Sequence, residues 1–241
     1  MRDADESKYV PALRFAWLTP YYDLILRVST RERSFKQALI RQAAIGPGHR
    51  VLDVGCGTGT LSIWIKADHP KAEIVGVDGD SAILSLASRK AKDAGISVQF
   101  DQAMAYDLPY PNAHFDRVVS SLFFHHLSRE NKSRTIEEIY RVLKPGGQLH
   151  VADWGRAANP AMRGLFLAVQ LLDGFRNTQD NVSGRLPGLF KHAGLIHVSE
   201  MQNFATVFGT MALYSAGKPT DGEHRRAMHD ATKLEVRQIT D

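Results

Sequence analysis

The sequence predicts an α/β fold, a largely parallel sheet wound on both faces by helices. Three observations predict it. Short apolar runs recur from Arg50 onward, at residues 51–54, 74–77, 98–100, 115–122 and 148–152, without the strict alternation of a half-exposed sheet. Amphipathic stretches separate these runs, so strand, helix and strand repeat as crossover units. The 241 residues, 44% hydrophobic and 23% charged, suit one domain with a sizeable core and some additions.

The elements follow in order. Residues 9–45 read as helical, with Phe35, Ala38, Leu39 and Ala43 at helical spacing, and Gly46-Pro47-Gly48 ends the pattern. Asp80 stands where an N-cap belongs, and Ile83, Leu84, Ala87 and Ala91 form an inward stripe before Gly95. Ser128 opens another helix with Ile136, Ile139, Tyr140 and Leu143 inward, which KPGG at 144–147 should stop. A helix over 186–193 closes at Gly194. Two strands over 197–208 and 211–216, split by Gly209, must then run antiparallel. The expected organisation is a helical cap at 1–45, a main domain at 46–217 with an insertion at 155–184, and a polar, frayed tail at 218–241. In the insertion, Met162, Leu165, Phe166, Val169, Leu172 and Phe175 fit one helix with a broad apolar face.

Charge and cysteine usage narrow the function classes. The net charge is only +4 and the basic residues are scattered. The densest patch, Arg27, Arg31, Arg33 and Lys36, contains Glu32 and reads as a solvated helix face rather than a nucleic-acid groove. Cys56 is the only cysteine, which excludes an intrachain disulfide or a thiolate metal site and fits a reducing cytoplasm. Residues 1–8 are charged with no apolar run behind them, and no stretch reaches membrane-span length. No secretory signal and no integral membrane segment are expected.

The strongest local feature is DVGCGTGT at 53–60, directly after the first buried run. Gly55, Gly57 and Gly59 let the backbone turn tightly and approach a ligand. A helix starting near Thr60 would aim backbone N–H groups back at this loop. Twenty-five residues after Asp53, Asp78 ends the second run, where an acid can accept both ribose hydroxyls of a nucleoside. The dinucleotide pattern G-x-G-x-x-G fails at its third position, which is Thr60, while an extra glycine stands at Gly59.

The D-x-G-x-G-x-G order resembles the first motif of class I S-adenosylmethionine (SAM)-dependent methyltransferases. VGVD at 75–78, LPYPNAHFD at 108–116 and RVLKPGG at 141–147 are similar to further segments of that family, in its order. The resemblance implies a Rossmann-like, seven-stranded sheet, parallel except for an antiparallel C-terminal strand. It implies SAM as cofactor and S-adenosylhomocysteine (SAH) as product. Gly55, Cys56, Gly57 and Gly59 would pass beneath the methionine and ribose parts, Cys56 as a small residue filling the loop. Asp53 would orient the loop and the methionine amino group, and Asp78 would hold the ribose hydroxyls. Gly79 and Asp80 would lie beside ribose and adenine, although Asp80 also suits a simple helix cap. Met104 and Ala105 would border the adenine; many relatives carry aspartate at the position of Met104, so the Ala105 N–H or the Met104 thioether would replace it. Ser120 would line the methionine side.

FFHHL at 123–127 follows the fourth strand, where an open α/β sheet binds its ligands. His125 or His126 serves there either as a general base or as a polar wall and structural histidine; no third ligand at suitable spacing makes them a metal site. Phe124, Asp153 and Trp154 would line the acceptor side. Phe166 and the rest of the insertion either pack as a lid or line an apolar acceptor pocket, and Tyr21 and Tyr22 would close from the cap. The implied reaction is in-line methyl transfer to a small, partly apolar acceptor such as an aromatic, quinone-like or lipid molecule, as in the group around the ubiquinone/menaquinone C-methyltransferases. Nucleic-acid amino-methyltransferases carry Asn/Asp-Pro-Pro-Tyr/Phe after strand four, whereas this chain has SSLF at 120–123. A non-catalytic SAM-binding protein and a nicotinamide-dependent oxidoreductase remain alternatives. Acceptor, methylated atom and oligomeric state, monomer or homodimer, stay open.

Overall fold

The computed structural model describes residues 32–158, 160–173 and 175–223. Tyr21, Tyr22 and most of the expected helical cap lie outside these residues. The described chain opens with α1 (Glu32–Gln42) and continues β1 (Arg50–Val54), α2 (Thr60–Asp68), β2 (Glu73–Asp78), α3 (Ser81–Asp93), β3 (Gln99–Gln102) and β4 (Phe115–Ser121). A single 3-10 turn at Phe124–His126 leads to α4 (Arg129–Val142) and β5 (Leu143–Trp154). The insertion holds α5 (Pro160–Asp173) and α6 (Phe175–Val182), and the chain then forms α7 (Leu186–His192), β6 (Ile196–Thr206) and β7 (Gly209–Gly217).

The sheet order is β3-β2-β1-β4-β5-β7-β6. β1 pairs parallel with β2 on one side and β4 on the other, bringing Asp53 beside Gly76 and Val119. β7 runs antiparallel to both β5 and β6, so it alone is reversed among the seven strands. Strand order turns back at β1, which opens a crevice beyond the carboxyl ends of β1 and β4.

The core has two layers, one on each sheet face. Phe35, Leu39 and Ile40 of α1 join Leu61 and Ile65 of α2, Val119, Met211 and Leu213 in one layer. Ile136 and Ile139 of α4 join Phe124, Phe190, Val118, Val151 and Tyr214 in the other. Asp80 caps α3, its Oδ1 accepting from the N–H groups of Ala82 (2.8 Å) and Ile83 (3.3 Å). Among the described residues, no helix is long and apolar enough to cross a membrane.

Two expectations need correction. KPGG does not separate helix from strand: α4 ends at Val142, Tyr140 is only half-buried, and β5 runs through the motif, with a register shift against β4 between Phe115 and Arg117 absorbing the irregularity. The start of the tail is pinned. Lys218 Nζ donates to the carbonyls of Tyr140 (2.8 Å) and Leu143 (2.7 Å), answering α4 carbonyls that have no helical partner.

Leu39 is fully buried between α1 and the sheet. Leu39→Ala should cost about 2–5 kcal/mol and lower Tm by roughly 5–15 °C in calorimetry. A cost below about 1 kcal/mol would show that α1 does not pack as described.

Candidate active site

The loop after β1 is built by glycines with left-handed backbone. Gly55, Gly57 and Gly59 have φ of 68°, 53° and 71°. The N–H groups of Gly55 (2.9 Å) and Cys56 (3.0 Å) donate to the Val77 carbonyl, fastening the loop to the end of β2. Space also demands two of these glycines. A Cβ on Gly55 would stand 2.1 Å from the Phe123 ring, and one on Gly59 would stand 2.7 Å from Phe100 and 3.0 Å from Ala87. At Gly57 it would meet nothing within 4 Å, so the middle of the loop faces open space. Cys56 is buried, with Sγ 3.8 Å from the Gly57 carbonyl, and burial pushes its thiol well up. It fills space and is no reactive thiolate.

Two carboxylates flank this loop. Asp78 Oδ2 accepts from Gly57 N–H (3.0 Å) and Oδ1 from Asp80 N–H (3.1 Å), which locks the tip of β2 to the glycine turn. Its pKa is raised, by burial foremost. Asp53 Oδ2 accepts from the Ser62 hydroxyl at 2.6 Å, while its Oδ1 is buried without a partner among the described residues. Burial pushes Asp53 up to about 6, against the Ser62 bond and the nearby Lys36 ammonium, itself paired with Glu32 at 2.6 Å. α1 therefore delivers charge to the loop as well as apolar packing.

The adenine-side candidates sit past β3. Ala103 N–H donates to the Asp78 carbonyl (3.1 Å), and the Gly79 carbonyl accepts from Gln102 Nε2 (3.3 Å), bringing this segment beside the tip of β2. Met104 is half-buried and Ala105 buried in the core beside Leu108. Ser120 lies near the end of β4. Its side chain is fully buried and its hydroxyl donates to the Val54 carbonyl at 2.8 Å, tying β4 to β1.

The turn after β4 carries the second half of the site. Leu122 takes φ of 56°, unusual for a side-chain-bearing residue, and this bend lays Phe123 over Gly55. His125 Nδ1 lies 2.7 Å from Asp153 Oδ1, and Asp153 also accepts from the N–H groups of Trp154 (2.7 Å), Phe123 (3.2 Å) and His125 (3.4 Å). Burial alone would raise Asp153; the charge and hydrogen bond of His125, with the Trp154 N–H, outweigh it and hold the carboxyl below the usual range. An ionised Asp153 fixes the proton on Nδ1, leaving the lone pair of a neutral His125 on Nε2. The His126 ring lies against His125 with centroids 4.0 Å apart and planes tilted by 42°, and burial first, then His125, lowers it to about 3. The Asp153 carboxylate aligns the His125 ring.

Phe124 does not face the cleft. It is fully buried against Phe190. Trp154 is likewise a core residue, its ring 6.3 Å from His125 and 5.3 Å from Phe166. Phe166 packs on Trp154 and against Gly209, as a lid residue does. Sequence reading missed Phe123, Ser62 and the residues that moor α6. Lys132, fully buried on α4, donates from Nζ to the Asn177 carbonyl and stands 4.0 Å from Asp180. Asn177 Nδ2 donates to the His126 carbonyl at 3.1 Å. Only Ser62, in the first turn after the glycine loop, carried a local signal.

Comparison with known proteins agrees with this geometry. Residues 51–147 match a methyltransferase domain family. The chain is 37% identical over 157 residues to a demethylmenaquinone methyltransferase of Deinococcus radiodurans, covering 64% of this chain and 63% of that protein, just under two thirds of its length. It is 28% identical over 228 residues to a ubiquinone/menaquinone biosynthesis C-methyltransferase of Syntrophotalea carbinolica, covering 87% and 94%. In fold it is similar to a putative methyltransferase of Bacillus halodurans, with a TM-score of 0.63 and 22% identity over 78% of this chain and all of that one. A reversed β7 in an otherwise parallel sheet, a glycine turn closed by a strand-tip aspartate and these relatives converge on a methyltransferase domain at residues 51–147, set in a methyltransferase fold.

Proposed function

We propose that the protein transfers the methyl group of SAM to a small, partly apolar acceptor of the hydroxyarene or quinol kind. The observation that carries this reading is the buried His125–Asp153 pair on the same turn whose Phe123 covers the glycine loop. A cofactor floor and an oriented base thus share one wall. Quinone-directed enzymes among the relatives support the acceptor class. The SSLF segment at 120–123 supports a small molecule over a nucleic acid, and the single cysteine supports a reducing, cytoplasmic setting.

The residues present fit SAM. The partnerless Oδ1 of Asp53 suits an ammonium, Asp78 suits a pair of hydroxyls, and Gly57 opens onto space. Met104 and Ala105 would border the adenine. When bound, SAM supplies a sulfonium-borne methyl group open to in-line attack. Phe123 and Gly55 close the floor, Trp154 and Phe166 exclude water behind His125, and Nε2 of His125 takes the acceptor proton while Asp153 stabilises the resulting imidazolium.

A screen of acceptor mixtures with methyl-labelled SAM, read by mass, should reveal one labelled small molecule; no labelled product from any mixture would leave only a SAM-binding protein. His125→Gln should lower kcat about 10²–10⁴-fold while SAH affinity stays unchanged. An unaltered kcat would remove the base from the mechanism. Asp78→Ala should weaken SAH binding at least about tenfold in calorimetry, since two accepting oxygens are lost.

Asp53 gives a pH test. Its raised pKa means that the fold prefers the neutral carboxyl, so this contribution to stability is present below pH 3.8 and lost as pH rises through about 6. Asp53→Asn should therefore raise the Tm of the ligand-free protein more at pH 7.5 than at pH 5, the difference corresponding to about 1.4 kcal/mol of relieved charge burial, since the carboxyl is already partly ionised at pH 5. SAH affinity of the natural protein should fall below about pH 6, where Asp53 takes up a proton, and the variant should lose that dependence. An equal Tm gain at both pH values would refute the assignment.

A further inference from the structure

Lys132, near the start of α4, is fully buried. An ammonium removed from water is costly, and an apolar side chain would pack one helix on another without that cost. The contacts of Lys132 show what the charge does there. Nζ donates to the Asn177 carbonyl and stands 4.0 Å from Asp180 Oδ2. It therefore grips a main-chain group and a side chain three residues apart on one face of α6. That grip fixes both the height and the rotation of α6 against α4.

Asn177 carries the hold onward, its Nδ2 donating to the His126 carbonyl at 3.1 Å. The His126 N–H donates to the Phe123 carbonyl (3.0 Å) and the Leu127 N–H to the Phe124 carbonyl (3.0 Å), so residues 123–127 form one hydrogen-bonded unit. Ser128 then caps α4, its Oγ accepting from the Asn131 N–H (3.2 Å) and its carbonyl from the Lys132 N–H (2.8 Å). The contacts close on themselves. They run from the turn through Ser128 to Lys132, across to α6, and back through Asn177 to His126. On β5, Asp153 accepts from the Phe123 and His125 N–H groups and meets His125 Nδ1. The turn is thus clamped between β5 and α6. A separate tie joins α6 to α5: Gln170 Nε2 donates to Thr178 Oγ1 (3.2 Å), and Arg163 Nη1 donates to Gln170 Oε1 (2.6 Å).

This turn carries both halves of the site, Phe123 over Gly55 and the His125 ring on Asp153. The left-handed bend at Leu122, with φ of 56°, leads into it, and such a bend persists only where its surroundings hold it. We propose that Lys132 is a positioning residue: through Asn177 it holds the turn in the one setting where Phe123 meets the glycine loop and His125 meets Asp153. This rests on the reading of the protein as a SAM-dependent methyltransferase with His125 as its base. α6 then belongs to the frame of the site and is more than a cover over it.

Proton NMR on the full chain reads the alignment directly. The His125 Nδ1–H, in a charge-assisted bond to Asp153, should give a far-downfield signal that disappears in His125→Gln. Two variants cut the strut: Asn177→Ala, and Lys132→Met joined with Asp180→Asn so that no charge is stranded. Each should move the signal upfield or lose it to exchange with water. Each should also weaken SAH binding at least about threefold in calorimetry, because Phe123 shares the turn. Gln170→Met, which cuts the tie to α5 alone, should lower Tm yet leave the signal and the SAH affinity unchanged. A signal or an affinity that holds in Asn177→Ala overturns the proposal, as does the lack of a downfield signal in the natural protein. If the double variant does not fold, Asn177→Ala decides alone. An equal shift in Gln170→Met also overturns it, because any loosening of the insertion would then suffice. Failure of the methyltransferase reading would show separately, as no SAH binding by the natural protein, and the NMR comparison would still decide the positioning.

Discussion

The contact of Phe123 with Gly55 is the constraint around which the carboxyl edge of the sheet is arranged. The ring leaves no room for any side chain at position 55, and only the left-handed bend at Leu122 brings it there. That single contact joins the loop after β1 to the turn after β4. The first carries the cofactor geometry and the second carries His125. Because β1 and β4 are adjacent parallel strands, with Ser120 fastened to the Val54 carbonyl, the two halves cannot drift apart without breaking the sheet. Backbone strain at Leu122 is tolerable because these neighbours over-determine it.

The site buries polar groups at different costs. Asp153 is fully satisfied by an imidazole and three backbone donors and stays ionised. Asp53 has one oxygen satisfied by Ser62 and one bare, and its affinity for a proton rises accordingly. The difference follows from hydrogen-bond supply, since both are equally removed from water. A carboxylate held ready by donors orients a neighbour, whereas a carboxylate short of donors waits for a cation. Lys132 extends the same logic to the insertion, where a buried ammonium anchors α6 through a carbonyl and an aspartate on that helix. Removing one partner would strand the other in an apolar setting, so the lid is held in one register.

Much of the architecture was readable along the chain. Buried runs marked the parallel strands, Gly209 marked the antiparallel hairpin, and Asp80 was correctly readable as a cap. The glycine loop was readable because its chemistry is local: three residues without Cβ within five positions leave few alternatives. Ser120, Phe124 and Trp154 show what position along the chain leaves undecided. Sequence position placed each at the correct edge of the sheet, but a side chain's direction there depends on turn geometry and on which neighbour reaches it first. The KPGG strand was hidden because a register shift is settled by packing against distant segments.

What the sequence determined by itself was the order of strands and helices, the loop that must be glycine, and the aspartates at the tips of β1 and β2. These follow from periodicity and from backbone sterics, which act over a few residues. What only the tertiary structure decided was partnership. Asp153, 28 residues away, reaches Nδ1 of His125. Lys132 and Asn177 bring α6 beside the same turn. Hydrogen bonds and buried charges depend on distance in space, and spacing along a chain does not encode that distance.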